Sequence, residues 1–178
     1  MVTPSLALTR VSRILAHLLA AALAFLVGAA AANELKPWSG DTPPLELKDL
    51  SGNTYRLADF RGKVVLINFW ATWCEPCRDE MPSIQHLKNR LAGRPFVVLA
   101  VNVAESEARI ADFLGKQPLD FTVLHDRNSA AMKAWRVKGL PASFVVAPDG
   151  RVRYSYTGEF EWANDRVFKQ LTDLMRPR

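Results

Sequence analysis

Lys63-Val64-Val65-Leu66-Ile67-Asn68-Phe69-Trp70-Ala71-Thr72-Trp73-Cys74-Glu75-Pro76-Cys77 is the stretch whose pattern decides the fold. Lys63 to Trp70 is a nearly continuous apolar, β-branched run, the pattern of a central strand buried on both faces. Glu75 to Leu91 carries Met81, Ile84, Leu87 and Leu91 at helical spacing, which predicts a helix kinked at Pro82. The chain's two cysteines therefore lie where a buried strand hands over to a helix. They are about one turn apart, so a disulfide can form and break with little backbone movement. A helix N-terminus offers unpaired N–H groups and the positive end of the macrodipole, and both favour a thiolate. Cys74, at the helix start, is expected to be exposed and to attack. Cys77, one turn in, is expected to be more buried and to resolve the mixed disulfide. Pro76 suits the first turn, where its missing N–H costs nothing.

Two plainer readings of the pair are weaker. A structural disulfide would close so short a loop that it removes little chain entropy. A zinc site needs four ligands, and no second cysteine pair exists; His86 and His125 are the only other soft ligands after residue 32.

Working outward, Leu45–Leu47 and Thr54–Leu57 flank Ser51-Gly52-Asn53, a hairpin signal, and Leu57–Phe60 reads as a short turn or helix. Downstream, Phe96–Val103 reads as a second buried strand, Glu105–Leu114 as a helix and Phe121–Leu124 as a short strand. Ser129–Trp135 reads as a short helix with Ser129 as N-cap. Ser143–Val146 and Val152–Tyr156 flank Pro148-Asp149-Gly150, a second hairpin. Phe160–Met175 reads as an amphipathic C-terminal helix, with Phe160 and Trp162 packing it. Strands alternating with helices, then a hairpin and a helix, predict an α/β domain: a central mixed sheet covered by helices on both faces.

The chain has 178 residues, 49% hydrophobic and 23% charged, which excludes collagen-like, low-complexity and wholly disordered classes. Residues 1–32 contain Arg10 and Arg13 and no acid, so subtracting them from the net charge of +5 leaves +3 for the rest. The remaining basic residues are scattered, with no nucleic-acid motif, so no nucleic-acid partner is expected. Arg10 and Arg13, the apolar stretch from Ile14 and the small-residue tail Ala29–Ala32 are the parts of a secretory signal, with cleavage near Ala32. The competing reading is an uncleaved membrane anchor, since Ile14–Ala32 spans 19 residues. Either way the domain is exported to an oxidising, periplasmic or other extracytoplasmic compartment. The organisation read is 1–32 signal or anchor, 33–44 linker, and 45–178 the domain.

The sequence from Gly62 to Pro82, with Gly139-Leu140-Pro141-Ala142-Ser143-Phe144 and Asp149-Gly150 further on, resembles the thioredoxin superfamily and, within it, the exported TlpA/ResA-like thiol-disulfide oxidoreductases. The resemblance covers residues 42–175. It implies a thioredoxin-like fold with an N-terminal hairpin and a central insertion around residues 105–127. It also implies a cis bond before Pro141, in a loop that sits against the cysteine pair and offers backbone groups to a substrate strand. Glu80 falls where ResA-like members carry an acid; partly buried, its pKa would be raised and it could exchange protons with Cys77. Glu75 is read as an exposed charge that disfavours the Cys74 thiolate. Asn68 replaces the buried Asp of cytoplasmic thioredoxins and needs hydrogen-bond partners in an apolar strand. Trp70 is expected in the core. Trp73, with Glu75, Pro76, Leu140 and Pro141, is expected to form the surface that receives the substrate.

The activity implied is reduction of partner-protein disulfides. The clients would be of the apocytochrome c or copper-site assembly type, the electrons would come from a membrane thiol-disulfide donor, and the protein would be a monomer. No cofactor is expected beyond the redox-active Cys74–Cys77 disulfide. A disulfide-donating oxidant and a Sco-like copper chaperone are the alternatives. Glu75-Pro76 and the short insertion argue against the first, and the two-residue spacing of the cysteines argues against the second.

Overall fold

The computed structural model describes residues 34–117 and 119–176. The signal or anchor reading of residues 1–32 lies outside them. Among the described residues, no helix is long and apolar enough to cross a membrane. One compact unit spans Leu35–Arg178.

The elements are β1 (Lys36–Pro37), β2 (Glu46–Asp49), β3 (Thr54–Arg56), a 3₁₀ turn (Leu57–Phe60), β4 (Val64–Trp70), α1 (Glu75–Arg90), β5 (Phe96–Val103), α2 (Glu107–Lys116), β6 (Thr122–Asp126), α3 (Ala130–Ala134), β7 (Ala142–Val146), β8 (Val152–Thr157) and α4 (Asp165–Leu174). The strands form one mixed sheet in the order β1-β8-β7-β4-β5-β6-β2-β3. The β4–β5 and β5–β6 pairs are parallel and every other neighbouring pair is antiparallel. This is the thioredoxin-like arrangement expected, with the hairpin β2–β3 at one edge and residues 105–127 folded as α2 and β6.

All seven residues of β4 are buried. Side chains on a strand alternate in direction. Val65, Ile67 and Phe69 accordingly enter one core, with Leu99, Val101, Trp135 and Phe144. Val64 and Leu66 enter the other, with Ile84 and Leu87 of α1 and Val167 and Leu171 of α4. Each such fully buried side chain contributes about 1.5–3 kcal/mol relative to exposure. Asn68 shares the even-numbered face, so the alternation aims it at α1.

Four boundaries differ from the sequence reading, each for a local reason. Part of the expected linker, residues 33–44, is built into the domain: Leu35 is buried, Lys36–Pro37 pairs with β8, and Trp38 packs edge-on against Phe144. Helix α2 starts at Glu107, not Glu105, because Ser106 is its N-cap and accepts from the Arg109 N–H at 3.3 Å. Ser129 precedes α3 in a left-handed conformation (φ 58°) and makes no side-chain cap. Buried Asp126 caps that helix in its place, accepting from the N–H groups of Ala131 and Met132 at 3.1 and 2.8 Å. Helix α4 starts at Asp165, not Phe160. Asn164 caps it, accepting from Val167 N–H at 2.9 Å, while the backbone at Phe160 and Trp162 is committed to partners on α1.

Candidate active site

The end of β4 turns into α1 within four residues. Cys74 N–H donates to Ala71 O at 3.2 Å, and Arg78 N–H to Cys74 O at 3.2 Å. Cys74 occupies the N-cap position with an extended backbone, and Pro76 sits in the first turn. Cys74 and Cys77 form a disulfide, with Cα atoms 5.3 Å apart.

The expected exposure of Cys74 is not found. It is 5% exposed against 0% for Cys77, so the order holds but the opening is narrow. The reason is packing: both cysteines belong to a cluster with Trp70, Ala71, Met81, Ala100, Ile110 and Val123, and Leu140 packs against it. Trp70 is fully buried there, its ring 5.2 Å from that of Phe113. Trp73, by contrast, is 65% exposed, and Glu75 beside it is exposed as well. The Leu140–Pro141 bond is cis, and Pro141 O accepts from Gly158 N–H at 2.8 Å, which ties the loop to the end of β8.

Glu80 lies one turn beyond Cys77 and is 2% exposed. Its carboxylate accepts from Asn68 Nδ2 at 2.7 Å, from Phe160 N–H at 3.0 Å and from Trp162 Nε1 at 3.3 Å. Burial pushes its pKa up to about 7, while the bonds from Asn68, Trp162 and Phe160 pull the other way and nearby Glu159 adds to the rise. Asn68 also donates to Ser143 Oγ at 2.9 Å, across the β4–β7 register that sets the two side by side. Ser83 accepts from Trp162 N–H at 3.1 Å and closes the nest.

Sequence reasoning found Glu80 and Asn68 but not Ser83, Ser143 or the role of Phe160 and Trp162, whose contacts with α1 span about eighty residues of chain. It also passed over Glu105, a buried carboxylate that accepts from Thr72 just ahead of the cysteines. A single Glu after a strand carries no signal of that kind. Of the two histidines, His86 is exposed, and His125 Nε2 lies 2.7 Å from Glu105 O.

Residues 36–171 match the family model described as Redoxin. The chain belongs to the redoxin family. Within it, the chain is 38% identical over 116 residues to the thiol-disulfide oxidoreductase ResA of Geobacillus kaustophilus, covering 65% of this chain and 67% of that protein. It is 33% identical over 137 residues to ResA of Bacillus subtilis, covering 77% and 75%. Among solved structures, it is similar to the exposed lipoprotein thioredoxin Etrx1 of Streptococcus pneumoniae, with a TM-score of 0.64, 26% identity, and coverage of 73% of this chain and 98% of that one. This redoxin is thus a thiol-disulfide oxidoreductase of the ResA type, with Cys74 and Cys77 as its disulfide pair.

Proposed function

We propose that this redoxin is exported and works as a reductase of disulfides in partner proteins. The observation that carries this direction is the surroundings of the pair. The side chains packed on Cys74 and Cys77 are apolar. The carboxylate between the cysteines is exposed at Glu75, and that of Glu80 is buried one turn beyond Cys77 on α1. Apolar burial and neighbouring negative charge disfavour a thiolate, against the pull of the helix N-terminus. A disfavoured thiolate makes the disulfide the stable form, so the dithiol gives up its electrons readily.

In the proposed cycle, the Cys74 thiolate attacks one sulfur of the client disulfide and releases the other as a thiolate. Cys77 then attacks the Cys74 sulfur, releasing the second client thiol and leaving the Cys74–Cys77 disulfide seen in the structure. Two electrons pass to the client. Glu80 takes the proton that Cys77 gives up in the second step and returns it on re-reduction, a task for which a carboxyl titrating near neutrality is suited. Trp73, Glu75, Pro76, Leu140 and cis-linked Pro141 form the client-contacting rim. A membrane thiol-disulfide donor restores the dithiol, and residues 1–32 address or anchor the chain. Similarity to ResA proteins and to an exposed lipoprotein supports the extracytoplasmic setting. Clients of the apocytochrome c type, or assembly factors of copper sites, fit an oxidised pair of closely spaced cysteines.

The test uses an oxidised peptide carrying Cys-x-x-Cys-His and a reduced one of the same sequence. The reduced protein is expected to reduce the first. Oxidation of the second by the disulfide form, with no reduction of the first, would contradict the proposal.

A further inference from the structure

Glu105 is a buried carboxylate that the redox cycle above does not use, its side chain only 3% exposed. Its Oε2 accepts from Thr72 N–H at 2.6 Å and from Asn102 Nδ2 at 2.8 Å, and its Oε1 accepts from Thr72 Oγ1 at 2.5 Å. Arg109 Nε stands 3.5 Å away. These bonds join two places that sequence keeps apart. Asn102, next to last in β5, is in register with Trp70, the last residue of β4. Thr72 lies in the turn between Trp70 and Cys74, where Cys74 N–H closes on Ala71 O.

The chain adopts an uncommon conformation to bring Glu105 there. Ala104 has φ 57°, in the left-handed region that a residue with a Cβ adopts at a cost, and its N–H donates to Asp126 O at 3.0 Å. Glu105 O in turn lies 2.7 Å from His125 Nε2. Thus β6 holds the backbone at Ala104 and at Glu105 itself, and the Glu105 carboxylate holds Thr72.

We infer that Glu105 is a positioning residue for the redox reaction: it clamps Thr72 and so fixes the short turn that presents Trp73 and Cys74. The inference rests on the oxidoreductase reading of Cys74, but not on the identity or direction of the client. Trp73 in this turn is exposed, so the fastening at Thr72 determines where the attacking sulfur and the rim beside it sit. Small misplacements of reacting groups lower rates steeply.

The experiment measures the rate and pH profile of Cys74 alkylation by iodoacetamide in the reduced full-length protein. A client-free readout of this kind survives failure of the client proposal. Glu105→Ala removes the clamp and is expected to slow alkylation about tenfold at pH 7 and displace its pH profile. Glu105→Gln is expected to stay within about twofold of the parent, because its carbonyl accepts from Thr72 N–H and Asn102 while its NH₂ donates to Thr72 Oγ1. Should Glu105→Ala fail to fold, Thr72→Ala removes the Oγ1 bond alone and is expected to slow the reaction about threefold, with Thr72→Ser restoring it. An alanine variant that melts earlier but keeps the parent's rate and pH profile would overturn the inference. Glu105→Gln as impaired as Glu105→Ala would overturn it too, since charge and not fastening would then be the cause.

Discussion

The two faces of the sheet are built from the same strands and do different work. On the side that receives α3, Val65, Ile67 and Phe69 meet Leu99, Val101, Trp135 and Phe144 in an apolar core. Its buried carboxylate, Asp126, caps α3. On the side of α1, the same alternation delivers Asn68, Ser143 and Asn102 among the apolar residues, and Glu80, Ser83 and Glu105 come to meet them. Buried polar groups are costly without partners, so a face that carries six of them needs matched donors and acceptors. One face is thus held almost wholly by apolar contacts, while the other sets polar groups among its apolar contacts and so shapes the neighbourhood of the disulfide.

Substitutions can break or sharpen that contrast. The largest effect is expected at the disulfide. Cys77→Ala should lower turnover about a thousandfold or more and trap a mixed disulfide through Cys74, visible as a mass adduct with an oxidised peptide. Next comes the apolar face. Ile67→Ala should cost about 2–5 kcal/mol of unfolding free energy in urea titrations. It should leave the potential of the cysteine pair unchanged, because Ile67 lies on the side away from Glu80.

Glu80 tests the polar face through pH. Its folded pKa, about 7, lies above the ordinary 4.5, so the folded state binds the extra proton. Stability is therefore fully present below about pH 4.5 and falls as pH rises toward 7, by a total on the order of 3 kcal/mol. Glu80→Gln should flatten that part of the stability–pH curve and slow resolution by Cys77 near neutral pH. Asn68→Ala removes a donor to the ionised form and should push the Glu80 pKa up further, by about one unit in a pH–rate profile. The smallest effect belongs to a helix cap outside the buried polar cluster. Asn164→Ala removes the α4 cap and should cost about 1 kcal/mol with no change in redox behaviour.

The pattern of apolar residues in β4 and β5 made the core of the fold legible, because burial on both faces leaves few alternatives to a central strand. The disulfide, Glu80 and the cis bond before Pro141 were legible from the Cys-x-x-Cys stretch and its resemblance. What sequence did not reveal are features set by tertiary partners. The start of α4 depends on Glu80 and Ser83 drawing in the backbone at Phe160 and Trp162. The cap of α3 depends on Asp126, a strand residue, and not on the nearer Ser129. Cys74 is covered by side chains from β5, β6 and α2, which no local rule places over it. Glu105 reads as an ordinary acid at a helix start until the left-handed Ala104 turns it toward Thr72.

The central claim is that the surroundings of Cys74 and Cys77 favour the disulfide and so make the dithiol a reductant. Equilibrating the protein with thiol buffers and reading the fraction reduced tests it directly. A potential toward about −250 mV is expected, near the thioredoxin value of about −270 mV. A potential toward about −120 mV, that of a dedicated oxidant, would contradict it.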